Sequence, residues 1–159
     1  MTIYTRTGDT GSTSLNGDVR VDKDDATVEV CGNIDELSAA LGLVRTEKLP
    51  SPFDAILFRI QQELIAFCTE IVFDLEKISS EHVQRIETEI DRIDSELPPL
   101  TQFVIAGENR SSALLHLART ICRRAERSLV KLCRTQKKSP LLNAYLNRLS
   151  DLLFVMARK

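Results

Sequence analysis

Tryptophan is absent from the 159-residue chain, tyrosine occurs twice, and aromatic residues make up only 5% of it. A surface that reads nucleic acid by base stacking would have little to stack with. Proline (5) and glycine (6) are scarce in a chain that is 43% hydrophobic, which excludes a low-complexity or disordered polymer. The most apolar run, Leu64 to Phe73, is interrupted by Glu70 and is far shorter than a bilayer crossing needs. Thr2 to Leu15 is polar and contains glycine, so it does not read as a secretory signal. The four cysteines, at 31, 68, 122 and 133, include no C-x-x-C pair and no zinc-like spacing. Reduced thiols in a cytoplasmic protein without a metal site are the expectation.

Net charge also looks absent, at −2 from 21 Lys+Arg and 23 Asp+Glu. Divided at residue 100, however, the chain has 9 basic and 20 acidic residues before the cut and 12 basic and 3 acidic after it, or −11 and +9. Such a split points either to an anionic partner for the C-terminal part or to two parts of one assembly that face each other.

What is present divides into a short N-terminal arm and a series of helices, within one domain spanning 1–159. Three of the six glycines fall in the first 17 residues, and no proline precedes Pro50. An arm over 1–32 and a helical bundle over 33–159 are expected. Asn33 followed by Glu36 resembles a capping box, and Ile34, Leu37, Ala40, Leu41 and Val44 recur at helical spacing. Ser51-Pro52 opens a helix predicted to run from Phe53 to Ile78, and Ser79-Ser80 caps the next, which Pro98-Pro99 ends. A fourth helix is predicted over about 111–137, and Ser139-Pro140 caps a fifth. The fold class is therefore all-α, a five-helix antiparallel bundle with ferritin-like up-down packing and a Gly-rich N-terminal arm.

Two constellations could carry chemistry. The arm, Tyr4 to Ser14, packs hydroxyls, two glycines and Arg6 into a loop whose N–H groups and hydroxyls could face phosphate; it could equally be a surface turn between two short strands. It is not a P-loop, because the G-K-[ST] ending is missing. On the fourth helix Arg119, Arg123 and Arg127 follow i, i+4, i+8 with Glu126 beside them, opposite an apolar stripe of Leu115, Ala118, Cys122, Ala125, Leu129 and Leu132. Eight basic residues and one acidic residue between 119 and 138 form either a phosphate-binding face or a charged bundle exterior. Asn143, Asn147 and Asp151 add a polar stripe on the last helix. His82 and His116 lack the Glu-x-x-His spacing of di-iron bundles and any evident triad partner, so both are expected to be structural or exposed. An enzyme built this way would orient reactants while another molecule supplies the nucleophile. A non-enzymatic bundle that binds nucleotide or nucleic acid is the alternative.

Four separated segments, Thr5–Thr13, Gly32–Ser38, Ala118–Arg127 and Tyr145–Phe154, together resemble the PduO-type ATP:cob(I)alamin adenosyltransferases over nearly the whole chain. The resemblance implies a homotrimer with ATP and cob(I)alamin at each subunit interface. It implies transfer of the 5′-deoxyadenosyl group of ATP to cobalt, giving adenosylcobalamin and triphosphate. The corrinoid is then a substrate, Mg²⁺ accompanies ATP, and a reductase supplying Co(I) is a candidate partner; nucleic acid and membrane are not. By the resemblance, ATP contacts fall on Thr5, Arg6, Thr7, Gly8, Asp9, Gly11, Thr13, Ser14 and Lys23 of one subunit, and on Arg123, Arg124, Glu126, Arg127 and Asn147 of its neighbour. Arg119 matches an arginine that pairs with the aspartate at Asp35, and Phe103 an aromatic residue that displaces the corrinoid's lower ligand. Arg119, Arg123, Asp35 and Phe103 are the implied catalytic set. Thr10, where many members carry Lys, and Ala106-Gly107-Glu108, where many carry Pro-Gly-Gly, depart from the pattern.

Overall fold

The computed structural model describes residues 3–17 and 19–159. A two-stranded antiparallel hairpin, β1 (Ser12–Asn16) and β2 (Val19–Asp22), precedes five helices: α1 (Ala26–Arg45), α2 (Phe53–Phe73), α3 (Ser80–Asp94), α4 (Arg110–Leu132) and α5 (Pro140–Ala157). The five predicted helices are all present. The hairpin adds a small sheet to the otherwise helical fold, and the Tyr4–Ser14 arm leads into its first strand rather than joining two strands.

Side-chain bridges fix the helix directions. Gln61 of α2 donates to the Ser38 carbonyl of α1 and Asp54 pairs with Arg45, while Lys131 and Arg110 of α4 reach Glu29 and Glu47, so α1 runs opposite to both neighbours. Ser112 donates to the Ala157 carbonyl at 2.7 Å and the Cys122 thiol to the Leu146 carbonyl at 3.3 Å, which sets α4 against α5 in the same antiparallel sense. α3 lies alongside α5, with Arg148 on Glu87 and Arg158 on Asp94. α4 is wedged between α1 and α5, its most extensive neighbours.

Several boundaries differ from expectation. α1 begins at Ala26 rather than at Asn33, so the last part of the expected 1–32 arm is helix. The cap is Asp25, whose carboxylate accepts the Thr27 N–H at 2.7 Å. Thr27, Val28, Val30 and Gly32 are poor helix formers, but Val30 is fully buried and extends the Ile34–Leu37–Leu41–Val44 stripe, and packing overrides propensity. α2 stops at Phe73 instead of Ile78 because Asp74 adopts a left-handed φ of 53°. The buried Glu70 carboxylate then accepts the N–H groups of Lys77 and Ile78, each at 2.8 Å. α4 ends at Leu132, short of Lys137. Two caps match the sequence: Ser79 forms a capping box with His82, and the Ser139 hydroxyl accepts the Leu141 N–H, whereas α2 is capped at Pro52 with no side-chain bond from Ser51.

The six stripe residues of α4 are all buried, as are Leu142, Tyr145, Leu146, Leu149, Leu153 and Met156 of α5. One polar cluster crosses this core. The Tyr145 hydroxyl donates to Glu63 Oε2 at 2.8 Å, and Arg85 and Arg59 approach the other carboxylate oxygen at 3.3 and 3.5 Å. Burial, reinforced by Glu63, raises the Tyr145 pKa well above its usual value, so the phenol keeps its proton. Tyr145→Phe removes one donor from a buried carboxylate and is expected to cost about 1–3 kcal/mol of stability. Urea unfolding of the two proteins measures it, and coincident transitions would contradict this role for the bond.

Candidate active site

The arm is organised by a residue that sequence reasoning missed. Arg20 of β2 stands opposite Ser14 in the hairpin register, and its guanidinium donates to the Thr7 carbonyl at 2.6 Å and the Ser12 hydroxyl at 2.5 Å. A longer contact of 3.4 Å reaches Ser14 Oγ. One cation thus gathers the loop before β1 against the strand that follows it. Thr5 and Thr7 share a hydroxyl hydrogen bond at 2.8 Å, and the Arg6 guanidinium lies over the Tyr4 ring. Gly11 takes a φ of +90°, which a side chain would resist, and the Gly11 carbonyl accepts the Lys23 N–H at 2.9 Å. A Cβ on Gly8 would stand 3.4 Å from Lys23 Nζ, so the ammonium rests directly against the glycine. The arm therefore presents hydroxyls between two cations, with Asp9 exposed at its turn and Thr13 half-buried in β1.

On α4 the apolar stripe turns the arginines outward. Arg123 and Arg127 are exposed, and among the described residues neither forms an ion pair or a side-chain hydrogen bond. Arg124 is engaged differently, forming an ion pair with Glu36 and donating to Asn33 Oδ1 at 3.2 Å. Glu126 accepts from Asn147 Nδ2 at 3.2 Å, and Asn147 Oδ1 accepts from Arg148, which in turn holds Glu87. The α4 and α5 candidates thus form one connected surface, anchored to α1 and α3.

The corrinoid-side candidates divide. Phe103 is fully exposed on the segment before α4, and with Arg119, His116 and Phe154 it lines a cavity of about 670 Å³. Asp35 is exposed on α1 and is not paired with Arg119 within the chain. Arg119 instead donates its Nε–H to His116 Nδ1 at 3.3 Å and places its guanidinium 5.9 Å from the Phe154 ring centre. No hydrogen bond or ion pair among the described residues joins the arm to Arg119, Arg123 or Arg127. The arm and the α4 face are therefore two separate candidate groups on one chain, with no polar bond between them among the described residues. His116 was legible only as a histidine without an acidic partner; its contact with Arg119 at i+3 is the signal that could have identified it.

Comparison with known proteins gives these features a family. The family model described as cobalamin adenosyltransferase matches residues 3–159. The chain is 42% identical to the corrinoid adenosyltransferase of Citrobacter freundii, over 98% of this chain and 93% of that protein. It is 42% identical to the corrinoid adenosyltransferase PduO of Salmonella typhimurium, but spans only 49% of that longer protein. Among solved structures, a PduO-type ATP:corrinoid adenosyltransferase variant from Lactobacillus reuteri complexed with ATP superposes with a TM-score of 0.92 at 30% identity, covering 98% of this chain and 92% of that one. Another variant of that enzyme, complexed with cobalamin and ATP, superposes at 0.90 with 29% identity, covering 99% and 92%. The chain belongs to the cobalamin adenosyltransferase family.

Burial, and secondarily the Arg119 charge, lower the His116 pKa below its ordinary 6.5. As pH falls, the unfolded chain takes up this proton before the folded one does, so stability present at neutral pH is lost below 6.5. His116→Phe should therefore flatten the dependence of the urea midpoint on pH between about pH 7 and about pH 5. An undiminished slope in that variant would contradict the assignment.

Proposed function

We propose that this protein is a corrinoid adenosyltransferase that moves the 5′-deoxyadenosyl group of ATP to the cobalt of cob(I)alamin. The carrying observation is the pair of unpaired, outward arginines, Arg123 and Arg127, on a helix whose opposite face is locked in the core. The names and bound ligands of the matched relatives support the same reading. In the reaction the reduced cobalt attacks C5′ as nucleophile, the C5′–O bond breaks, and triphosphate leaves with the electron pair. Negative charge grows on the leaving group, so guanidinium groups set against it favour the transition state over the ground state.

Among the described residues no hydrogen bond or ion pair links the arm to Arg119, Arg123 or Arg127 of the same chain, which supports a homotrimer in which the arm of one subunit closes over α4 of the next. Thr5, Arg6, Thr7, Gly8, Asp9, Gly11, Thr13, Ser14 and Lys23 would come from one subunit, and Arg123, Arg124, Glu126, Arg127 and Asn147 from its neighbour. Arg20 belongs with the first group as the residue that shapes the loop. The same geometry would let Asp35 of one subunit reach Arg119 of another. Mg²⁺ is assigned to the nucleotide, held chiefly by phosphate oxygens, since no three His, Cys, Asp or Glu side chains converge among the described residues. Four free cysteines fit a reducing compartment, and we place the protein in the cytoplasm with a reductase supplying Co(I). No described helix is long and apolar enough to cross a membrane.

Incubation with ATP, Mg²⁺ and chemically reduced cobalamin should yield adenosylcobalamin and triphosphate, read by absorbance and anion exchange; pyrophosphate or ADP as product would contradict the mechanism. Arg123→Ala should lower kcat by about 10²–10³. Because Arg123 is exposed and unpaired, the unfolding midpoint of that variant should match the wild type.

A further inference from the structure

The cavity behind Phe103 contains a polar atom that the proposed roles leave unused. His116 is only 4% exposed, and its Nε2 is fully buried with no hydrogen-bond partner. Its other ring nitrogen is committed: Arg119 Nε–H can only donate, so Nδ1 must accept. That contact fixes the tautomer, placing the ring proton on Nε2. The Phe154 ring meets the imidazole edge-on at 6.0 Å, and Arg119 covers the same phenyl ring. A buried N–H without an acceptor is rare in folded proteins, and no protein group among the described residues satisfies this one. The surrounding cavity wall is largely apolar, from Leu100, Phe103, Val104, Ala106 and Phe154.

We propose that His116 is a corrinoid-specificity residue, whose Nε2–H donates to a side-chain amide oxygen on the rim of the macrocycle once the corrinoid occupies this cavity. The proposal rests on the corrinoid adenosyltransferase reading. A corrin ring offers an apolar face to the phenyl and aliphatic wall and a rim of amide carbonyls, the acceptor chemistry that an orphaned N–H requires. His116 and Arg119 then act as a relay. Arg119 orients the imidazole through Nδ1, and the imidazole presents its far proton to the substrate. Desolvation holds the ring neutral, which preserves Nδ1 as an acceptor.

Two substitutions separate this role from simple packing. His116→Phe keeps a flat ring beside Phe154 but removes both nitrogens, whereas His116→Gln keeps an acceptor for Arg119 and a donor for the ligand. Affinity for cob(II)alamin in the presence of ATP, read from its visible spectrum, should weaken about tenfold in His116→Phe, the worth of one buried hydrogen bond. The KM for ATP should stay within about twofold, and His116→Gln should recover most of the corrinoid affinity. Equal cob(II)alamin affinity in wild type and His116→Phe, or parallel losses for ATP and corrinoid, would overturn the proposal. If His116→Phe does not fold, ¹⁵N NMR of the wild type tests it directly. Added cobalamin should shift the His116 Nε2–H resonance and slow its exchange with water, and an unmoved resonance at saturation would overturn it. A wild type that binds corrinoid but makes no adenosylcobalamin would instead overturn the reaction assignment, leaving the affinity comparison to decide the role of His116. A wild type that binds no corrinoid overturns both.

Discussion

The structure depends on the placement of α4 between α1 and α5. Leu115, Ala118, Cys122, Ala125, Leu129 and Leu132 must all be buried at once, and a helix period of 3.6 then leaves no freedom in where the remaining residues point. Arg119, Arg123 and Arg127 are forced to the opposite side, where the core fixes their spacing and direction. A loop carrying the same three cations would have to order them on binding, at a cost in conformational entropy. Here the backbone positions are already ordered when the bundle folds, which is the preorganisation that the proposed triphosphate site calls for.

The same placement accounts for the charge split. Arg124 and Lys131 of α4 pair with Glu36 and Glu29 of α1 and Arg110 with Glu47 just after it, while Arg148, Arg158 and Lys159 pair with Glu87, Asp94 and Glu96 along α3 and the turn after it. Lys138 adds a bond to Asp74. The acidic first hundred residues and the basic remainder are thus largely two sides of one bundle. Each exposed pair stabilises by about 1 kcal/mol or less, so their value lies more in helix register than in stability. Among the described residues Arg119, Arg123, Arg127, Arg134 and Lys137 stay outside this pairing, and Arg123 and Arg127 are the two exposed ones on the outward face of α4.

Much of this was legible in the sequence because burial periodicity is a strong local signal. The α4 and α5 stripes, the Ser139-Pro140 start and the outward arginine row all followed from residue spacing. The misplaced start of α1 had a physical cause: Thr27, Val28, Val30 and Gly32 have weak helical propensity, and only contact with α4 reveals their role. The early end of α2 depended on Glu70 capping Lys77 and Ile78 across a left-handed Asp74, a tertiary bond with no local pattern. Arg20 escaped notice, and His116 was read only as structural or exposed, for the same reason. Each matters through a partner whose position depends on hairpin register or helix packing. The Asp35–Arg119 pair implied by resemblance is not formed inside one chain, where Arg119 donates to His116 instead.

If the arm of one subunit completes the proposed site on α4 of another, subunit mixing will restore activity to two inactive variants. Lys23→Ala disables the arm and Arg123→Ala disables the helix face, and each variant alone should be inactive. Co-expressed in equal amounts, the two should regain about one quarter of wild-type adenosylation, the fraction of interfaces that random assortment gives an intact arm and an intact helix. No regain in verified mixed trimers would place both halves of the site on the same chain and contradict the account.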